Sequence, residues 1–246
     1  MTTAVCHQVT FLPWLGLMQK LSYADVFVLL DDVQFVRRDV QNRVAIKTPA
    51  GRAWLTVPVA SKGHYHSPIR EIELAEHADP DELLRTIHHA YAKAPFFDDI
   101  WLPLEATLSV LVRPGASMLT LNETLIRWLI ECFSLRLRFE YQSNLDWSGA
   151  RADMLISCCR AVGADRYVAG KLALEQYMDF DHWRANGIEV VGSLFPPIEY
   201  PQLWGPFEYG LSSIDLIANL GVEAARNWLG MVALEQDLVR QLDLAT

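Results

Sequence analysis

Runs of apolar residues alternate with helical spacings along this chain, and the alternation begins at once. Ala4 to His7 reads as the end of a short buried strand. Leu12 to Tyr23 follows with Leu15, Met18 and Leu21 at helical spacing. Asp25 to Asp31 (DVFVLLD) is apolar and β-branched throughout its centre, the pattern of a strand covered on both faces. Strand, helix, strand predicts a right-handed parallel crossover as the opening unit. Two strand-like runs in 42–60 flank Pro49-Ala50-Gly51, which predicts a β-hairpin. Ile69 to Leu74 alternates apolar and charged residues like a half-exposed strand.

Helical signals dominate the middle. Asp79-Pro80 predicts an N-cap and first turn, with Asp81 and Glu82 favourable at the positive end of the helix dipole and the helix running to about Lys93. Pro95, Pro103 and Pro114 punctuate further helices, one of them over 117–133. The strand–helix rhythm returns at Leu135–Tyr141, a helix through Val162 capped near Asp146–Ser148, a strand at Arg166–Gly170 and another in Gly187–Gly192. Phe195–Phe207, rich in proline and aromatics, reads as a structured loop, and Leu211–Gly221 carries helix start and stop residues. The expected fold is α/β: a mixed, partly parallel sheet flanked by helices, with a β-hairpin after the second strand and a helical insertion near 79–133, all in a single domain over 1–246.

Composition narrows the function classes. The 246 residues carry 21 Lys plus Arg against 30 Asp plus Glu, a net charge of −9, and 51% are hydrophobic. A chain this long buries enough surface to fold without a disulfide or metal staple. The acidic balance argues against a nucleic-acid partner. No apolar run reaches the ~18 residues of a membrane span, and the N-terminus has no signal-peptide pattern, so the expected location is the cytoplasm, with no membrane partner. Cys6, Cys132, Cys158 and Cys159 form no C-x-x-C pair, and no histidine has the spacing of a zinc site, so no metal is expected. G-x-G-x-x-G and P-loop fingerprints are absent, and no motif names a cofactor.

Ligands of open α/β sheets sit beyond the carboxyl ends of the strands. The first strand ends at His7-Gln8 and the second at Asp31-Asp32, with Gln34 beyond. If those strands are neighbours, His7 is a candidate general base with Asp31 or Asp32 orienting it. The bland alternative is that the two aspartates cap the following turn. Arg37, Arg38, Asn42, Arg43 and Lys47 follow closely and suit an anionic substrate, or else a solvated hairpin face. Lys171 after the Arg166–Gly170 strand is another candidate for an anion. Tyr200, Gln202 and Trp204 offer a wall for a small polar ligand, and Ser212 and Asp215 open the next helix, with core packing as the competing explanation of the aromatics.

These blocks resemble the WbqC-like protein family. The opening HQVTFLPWLG matches the family's H-Q-P-x-Y/F-x-P-W-x-G at His7, Gln8, Phe11, Pro13, Trp14 and Gly16, with Val9 where proline is usual. The D-D-V-Q-F block matches at Asp31–Phe35, N-R at Asn42 and Arg43, Y-P-Q at Tyr200–Gln202, and L-S-x-x-D at Leu211, Ser212 and Asp215. The family takes its name from a protein of O-antigen gene clusters, and the resemblance implies a biosynthetic setting in sugar or specialised-metabolite pathways. The leading expectation is a transferase that moves an acyl or aminoacyl-type group onto a small-molecule intermediate. His7, Asp31 and Asp32 would be catalytic. Gln8, Gln34, Asn42, Arg43, Lys47, Lys171, Tyr200, Gln202, Ser212 and Asp215 would bind substrate. A carrier protein is the expected macromolecular partner. The alternatives are a nucleotidyl transferase-like enzyme and a non-catalytic binding module of the same pathway.

Overall fold

A computed structural model describes residues 1–246 apart from 63, 65, 177, 196–198, 236–238 and 241–246. The opening unit is β1 (Thr3–Gln8), α1 (Leu15–Leu21) and β2 (Val26–Leu30). The hairpin β3 (Arg43–Thr48) and β4 (Gly51–Thr56) turns at Pro49-Ala50. The helical insertion is α2 (Pro80–Tyr91), α3 (Phe97–Leu111) and α4 (Met118–Cys132). Then come β5 (Arg138–Tyr141), α5 (Ala152–Ala161), β6 (Arg166–Gly170), α6 (Lys171–Gln176), α7 (Phe180–Ala185), β7 (Glu189–Ser193), α8 (Ser213–Leu220), α9 (Val222–Glu235) and β8 (Val239–Arg240).

The sheet order is β5-β2-β1-β6-β7-β8, with β5, β2, β1, β6 and β7 parallel and β8 antiparallel at the edge. The two-stranded β3-β4 hairpin stands apart from that sheet. Numbered by their place in the chain, the parallel strands run 3-2-1-4-5, the order of a doubly wound fold, so the topological switch point falls between β1 and β6. Strand alternation sends Val5, Phe27, Leu29, Val168 and Val191 into a core shared with α1, α8, the hairpin and the helical insertion. Ala4, Cys6, Val26, Val28, Tyr167 and Val190 point the other way, against α5 and α7.

The pairing of β1 is unequal on its two sides. It matches β2 from Ala4↔Val26 to Gln8↔Leu30, but it matches β6 only at Thr3↔Arg166 and Ala4↔Tyr167. Beyond Ala4 the sheet parts between β1 and β6, and a crevice opens toward the carboxyl ends of the strands.

Several local expectations change. The first helix is shorter than predicted because Leu12 takes a left-handed φ of 42° and Trp14 is extended. Ile69–Leu74 is no strand. It is a 3-10 turn over Ile69–Glu71, followed by single bridges Glu73↔Ser117 and Val59↔Leu74. Pro103 does not end a helix but lies inside α3, where burial of Ile100, Leu104 and Leu108 outweighs the lost backbone hydrogen bond. The fifth helix starts at Ala152 rather than near residue 146, after Gly149 and Arg151 turn the chain with φ of 87° and 54°.

Candidate functional site

The crevice between β1 and β6 is a cleft of about 910 Å³. Cys6, His7 and Gln8 reach it from β1, Tyr167 and Gly170 from β6, Ser193 from β7, and Gly16, Leu17 and Lys20 from α1. Trp14, Phe195 and Tyr209 close one wall, and Val33 and Gln34 approach past the end of β2.

His7 Nδ1 lies 2.9 Å from the carbonyl oxygen of Gln8. A carbonyl only accepts, so Nδ1 carries the proton and Nε2 keeps its lone pair. Burial and then the Lys20 ammonium lower the pKa of His7 to about 4, against a smaller rise from the Gln8 carbonyl. The imidazole is therefore neutral at pH 7. Gln8 is held by Gln41, whose Nε2 donates to Gln8 Oε1 at 2.9 Å. Gln41 is itself fixed by the insertion, since Asn122 Nδ2 donates to its carbonyl at 2.8 Å.

Lys20 and Ser193 are cleft residues that sequence reasoning missed. Helix α1 is a short crossover whose residues are all buried, so its polar side chains must find partners inside the protein or in the cleft. Gln19 accepts from Ser193 Oγ at 2.7 Å. Lys20 turns toward the crevice, with Nζ 5.6 Å from the centre of the Tyr167 ring. Burial lowers its pKa to about 8. The one readable signal was a Gln-Lys pair inside a seven-residue helix between two buried strands.

The aromatic wall depends on Gly16. A Cβ at that position would meet Trp14 Cη2 at 2.3 Å, so the bare glycine lets the indole lie across the first turn of α1. Trp14 then meets Phe195 edge to face at 5.4 Å and Tyr209 at 6.2 Å. The hairpin secures the far side of this wall: Arg52 Nη1 donates to the Tyr209 carbonyl at 2.6 Å.

The expected meeting of His7 with the twin aspartates does not occur, because neither Asp31 nor Asp32 is among the residues lining the cleft. Asp31 is 2% exposed. Its carboxylate accepts from Ser143 N at 2.9 Å and Ser143 Oγ at 2.6 Å. Asp32 forms an ion pair with Arg70. The two carboxylates fasten the turns after β5 and at Ile69–Glu71 to the end of β2, and so position Val33 and Gln34.

Gln8, Gln34 and Lys171 do line the cleft, with Lys171 largely exposed and 3.8 Å from Glu175. Asn42, Arg43, Lys47, Tyr200, Gln202, Ser212 and Asp215 do not. Lys47 is buried and donates to Gln202 Oε1 at 3.0 Å and to the Gly205 and Pro206 carbonyls. Tyr200 donates to Asp215 at 2.8 Å, and burial raises the Asp215 pKa to about 6. Ser212 caps α8, with Oγ donating to the Leu12 carbonyl at 2.8 Å. Asn42 Nδ2 donates to the Val57 carbonyl, and the Arg43 guanidinium stacks on Trp54 at 4.3 Å. Their common effect is to pin the hairpin and the 200–212 loop, which contributes Tyr209 to the aromatic wall. The four cysteines are free, and a hydrogen bond with Cys159 and then burial push the Cys6 thiol well above its ordinary pKa. Among the described residues no cluster of His, Cys, Asp or Glu is arranged to hold a metal ion, and no helix is long and apolar enough to cross a membrane.

The sequence matches the model of the WbqC-like protein family over residues 8–227. It is 30% identical over 221 residues to the uncharacterized protein Rv1507c of Mycobacterium tuberculosis H37Rv, a match covering 88% of this chain and 93% of that protein. No solved structure matches. The match begins at Gln8, one residue after His7, and covers most of the chain, including the later strand ends of the cleft, and on that ground the chain belongs to the WbqC-like protein family.

Proposed function

We propose that this protein transfers an acyl or aminoacyl-type group to a hydroxyl or amine of a small polar acceptor, with His7 as the general base. The observation that carries this reading is a neutral imidazole, oriented by a backbone carbonyl, at the switch point of a parallel sheet. His7 Nε2 takes the acceptor proton as the acceptor attacks the donor carbonyl, and the resulting imidazolium returns the proton to the leaving group. Gln8, Gln34 and Ser193 supply hydrogen bonds to the acceptor, and the aromatic wall covers its less polar face. Asp31 and Asp32 act at a distance, by fixing the chain that presents Gln34.

The test is release of free thiol from acyl and aminoacyl thioesters in the presence of amino and hydroxyl sugars. Acceptor-dependent release should fall by about 10²–10⁴ in His7→Gln. Equal rates for wild type and variant would reject His7 as the base. The strand order favours a second reading, a nucleotide-bearing donor or nucleotidyl transfer. Incubation with a nucleoside triphosphate, magnesium and the acceptor separates the two, because nucleotidyl transfer releases pyrophosphate and acyl transfer from a thioester releases none. A non-catalytic binding module of the same pathway, including one that docks a carrier protein, would bind a thioester or acceptor without turning it over.

A further inference from the structure

Two lysines of this chain are buried, and the structure treats them differently. Lys47 is surrounded by acceptors, the Gln202 side chain and the Gly205 and Pro206 carbonyls. Lys20 is 8% exposed and has no carboxylate or hydrogen-bond acceptor among the described residues, although it lines the cleft. The groups that act on it are the Tyr167 ring and the Cys6 and Cys159 thiols, and the Ser193 hydroxyl elsewhere on the cleft donates its proton to Gln19. The acid among the described lining residues is Glu175, and Lys171 lies against it.

A cation withdrawn from water is costly unless something opposite meets it. Here the described residues supply an aromatic face and two thiols, weak partners for an ammonium. The chain as a whole is net −9, yet the charged and titratable side chains among the described lining of this cleft include two lysines and a neutral histidine against one glutamate. No described residue supplies the missing countercharge, and the open side of Lys20 is the cleft, where an occupant can bring it.

We propose that Lys20 is the seat of an anionic group, a carboxylate or a phosphate, on the molecule that fills the cleft, while a less polar part of the same molecule packs against Trp14, Phe195 and Tyr209. The proposal rests on the transfer reading for the identity of the cleft as the substrate site, but it does not require His7 to act as a base. It moves anion recognition away from Arg43 and Lys47, which the fold uses for stacking and for anchoring a loop. Carboxylate and phosphate share the charge and the acceptor oxygens, and a single ammonium accepts either.

The full chain, labelled with ¹⁵N at its five lysines, is titrated separately with inorganic phosphate and with acetate, against sodium chloride at matched ionic strength. The Lys20 signal should move saturably with at least one of them, and the stronger response identifies the preferred group. Lys20→Met should weaken that binding at least tenfold, whereas Lys171→Ala should leave it within twofold. Urea unfolding of Lys20→Met should give a midpoint equal to or above that of wild type, because an uncompensated charge is removed. A Lys20 signal that follows chloride alone, anion binding that survives Lys20→Met, or a marked loss of stability in that variant would each overturn the proposal. His7→Gln separates the two readings: anion binding should persist in it while transfer is lost. If transfer persists as well, the base assignment fails and the anion seat stands.

Discussion

The state of His7 is the quantity most exposed to measurement. An unperturbed histidine titrates near 6.5, whereas burial and Lys20 bring this one to about 4. The difference is about 2.5 pH units, or roughly 3 kcal/mol between the two protonation states, an upper value because one edge of the ring faces the cleft. The sign is fixed by linkage. The unfolded chain takes up this proton more readily, so His7 has no effect on stability above pH ~6.5, lowers it as pH falls toward ~4, and reaches its full effect below that. Replacing Lys20 by methionine removes the second cause of the shift and leaves the first, burial, nearly intact. The His7 pKa should then rise by roughly half to one unit, not return to 6.5. The assay is a pH titration of the ring Cε1–H signals in protein labelled at its seven histidines, with His7 assigned by its absence in His7→Gln. A His7 signal that titrates at 6.5 or above would refute the argument, as would one that is indifferent to Lys20→Met.

Two further outcomes test the supports of the cleft. Gly16→Ala places a methyl group 2.3 Å from the Trp14 ring, so the indole must swing away. The variant should lose about 1–3 kcal/mol in urea unfolding and show altered near-ultraviolet circular dichroism from the aromatic wall; a wild-type spectrum would mean that the indole does not rest on the glycine. Ser143→Ala leaves the buried Asp31 carboxylate with only the backbone N–H of residue 143 from this turn, and should cost about 1–3 kcal/mol by thermal or urea unfolding. A neutral substitution would free Asp31 from the structural role assigned to it here.

Much of the fold was written locally. The apolar runs of β1 and β2 lie where buried parallel strands need them, Pro49–Gly51 turns the hairpin, Asp79 accepts from Asp81 N to cap α2, and Ser212 and Gly221 bound α8. Each of these signals is read by neighbours a few residues away, through backbone sterics and hydrogen bonds that do not wait for the rest of the chain. His7, Gln8 and Gln34 were found by the same means, since the end of a strand is a local event and parallel sheets expose their ligands there.

Pairing across the sequence settled the rest. Asp31 meets Ser143 across 112 positions and Lys47 meets Gln202 across 155, and those contacts turned expected site residues into anchors. The Glu140 neighbourhood of β5 had to lie beside β2 before Asp31 had a partner, and no spacing near residue 31 encodes that. Lys20 shows the converse. In sequence it is an ordinary helical lysine, free to reach water. Only the closing of helix and strands around α1, together with the early parting of β1 from β6, leaves its ammonium inside an open crevice beside a neutral imidazole. A side chain's chemistry comes with the residue, whereas its solvent, partners and charge state come from segments far along the chain, and these exist for it only once the tertiary structure has formed.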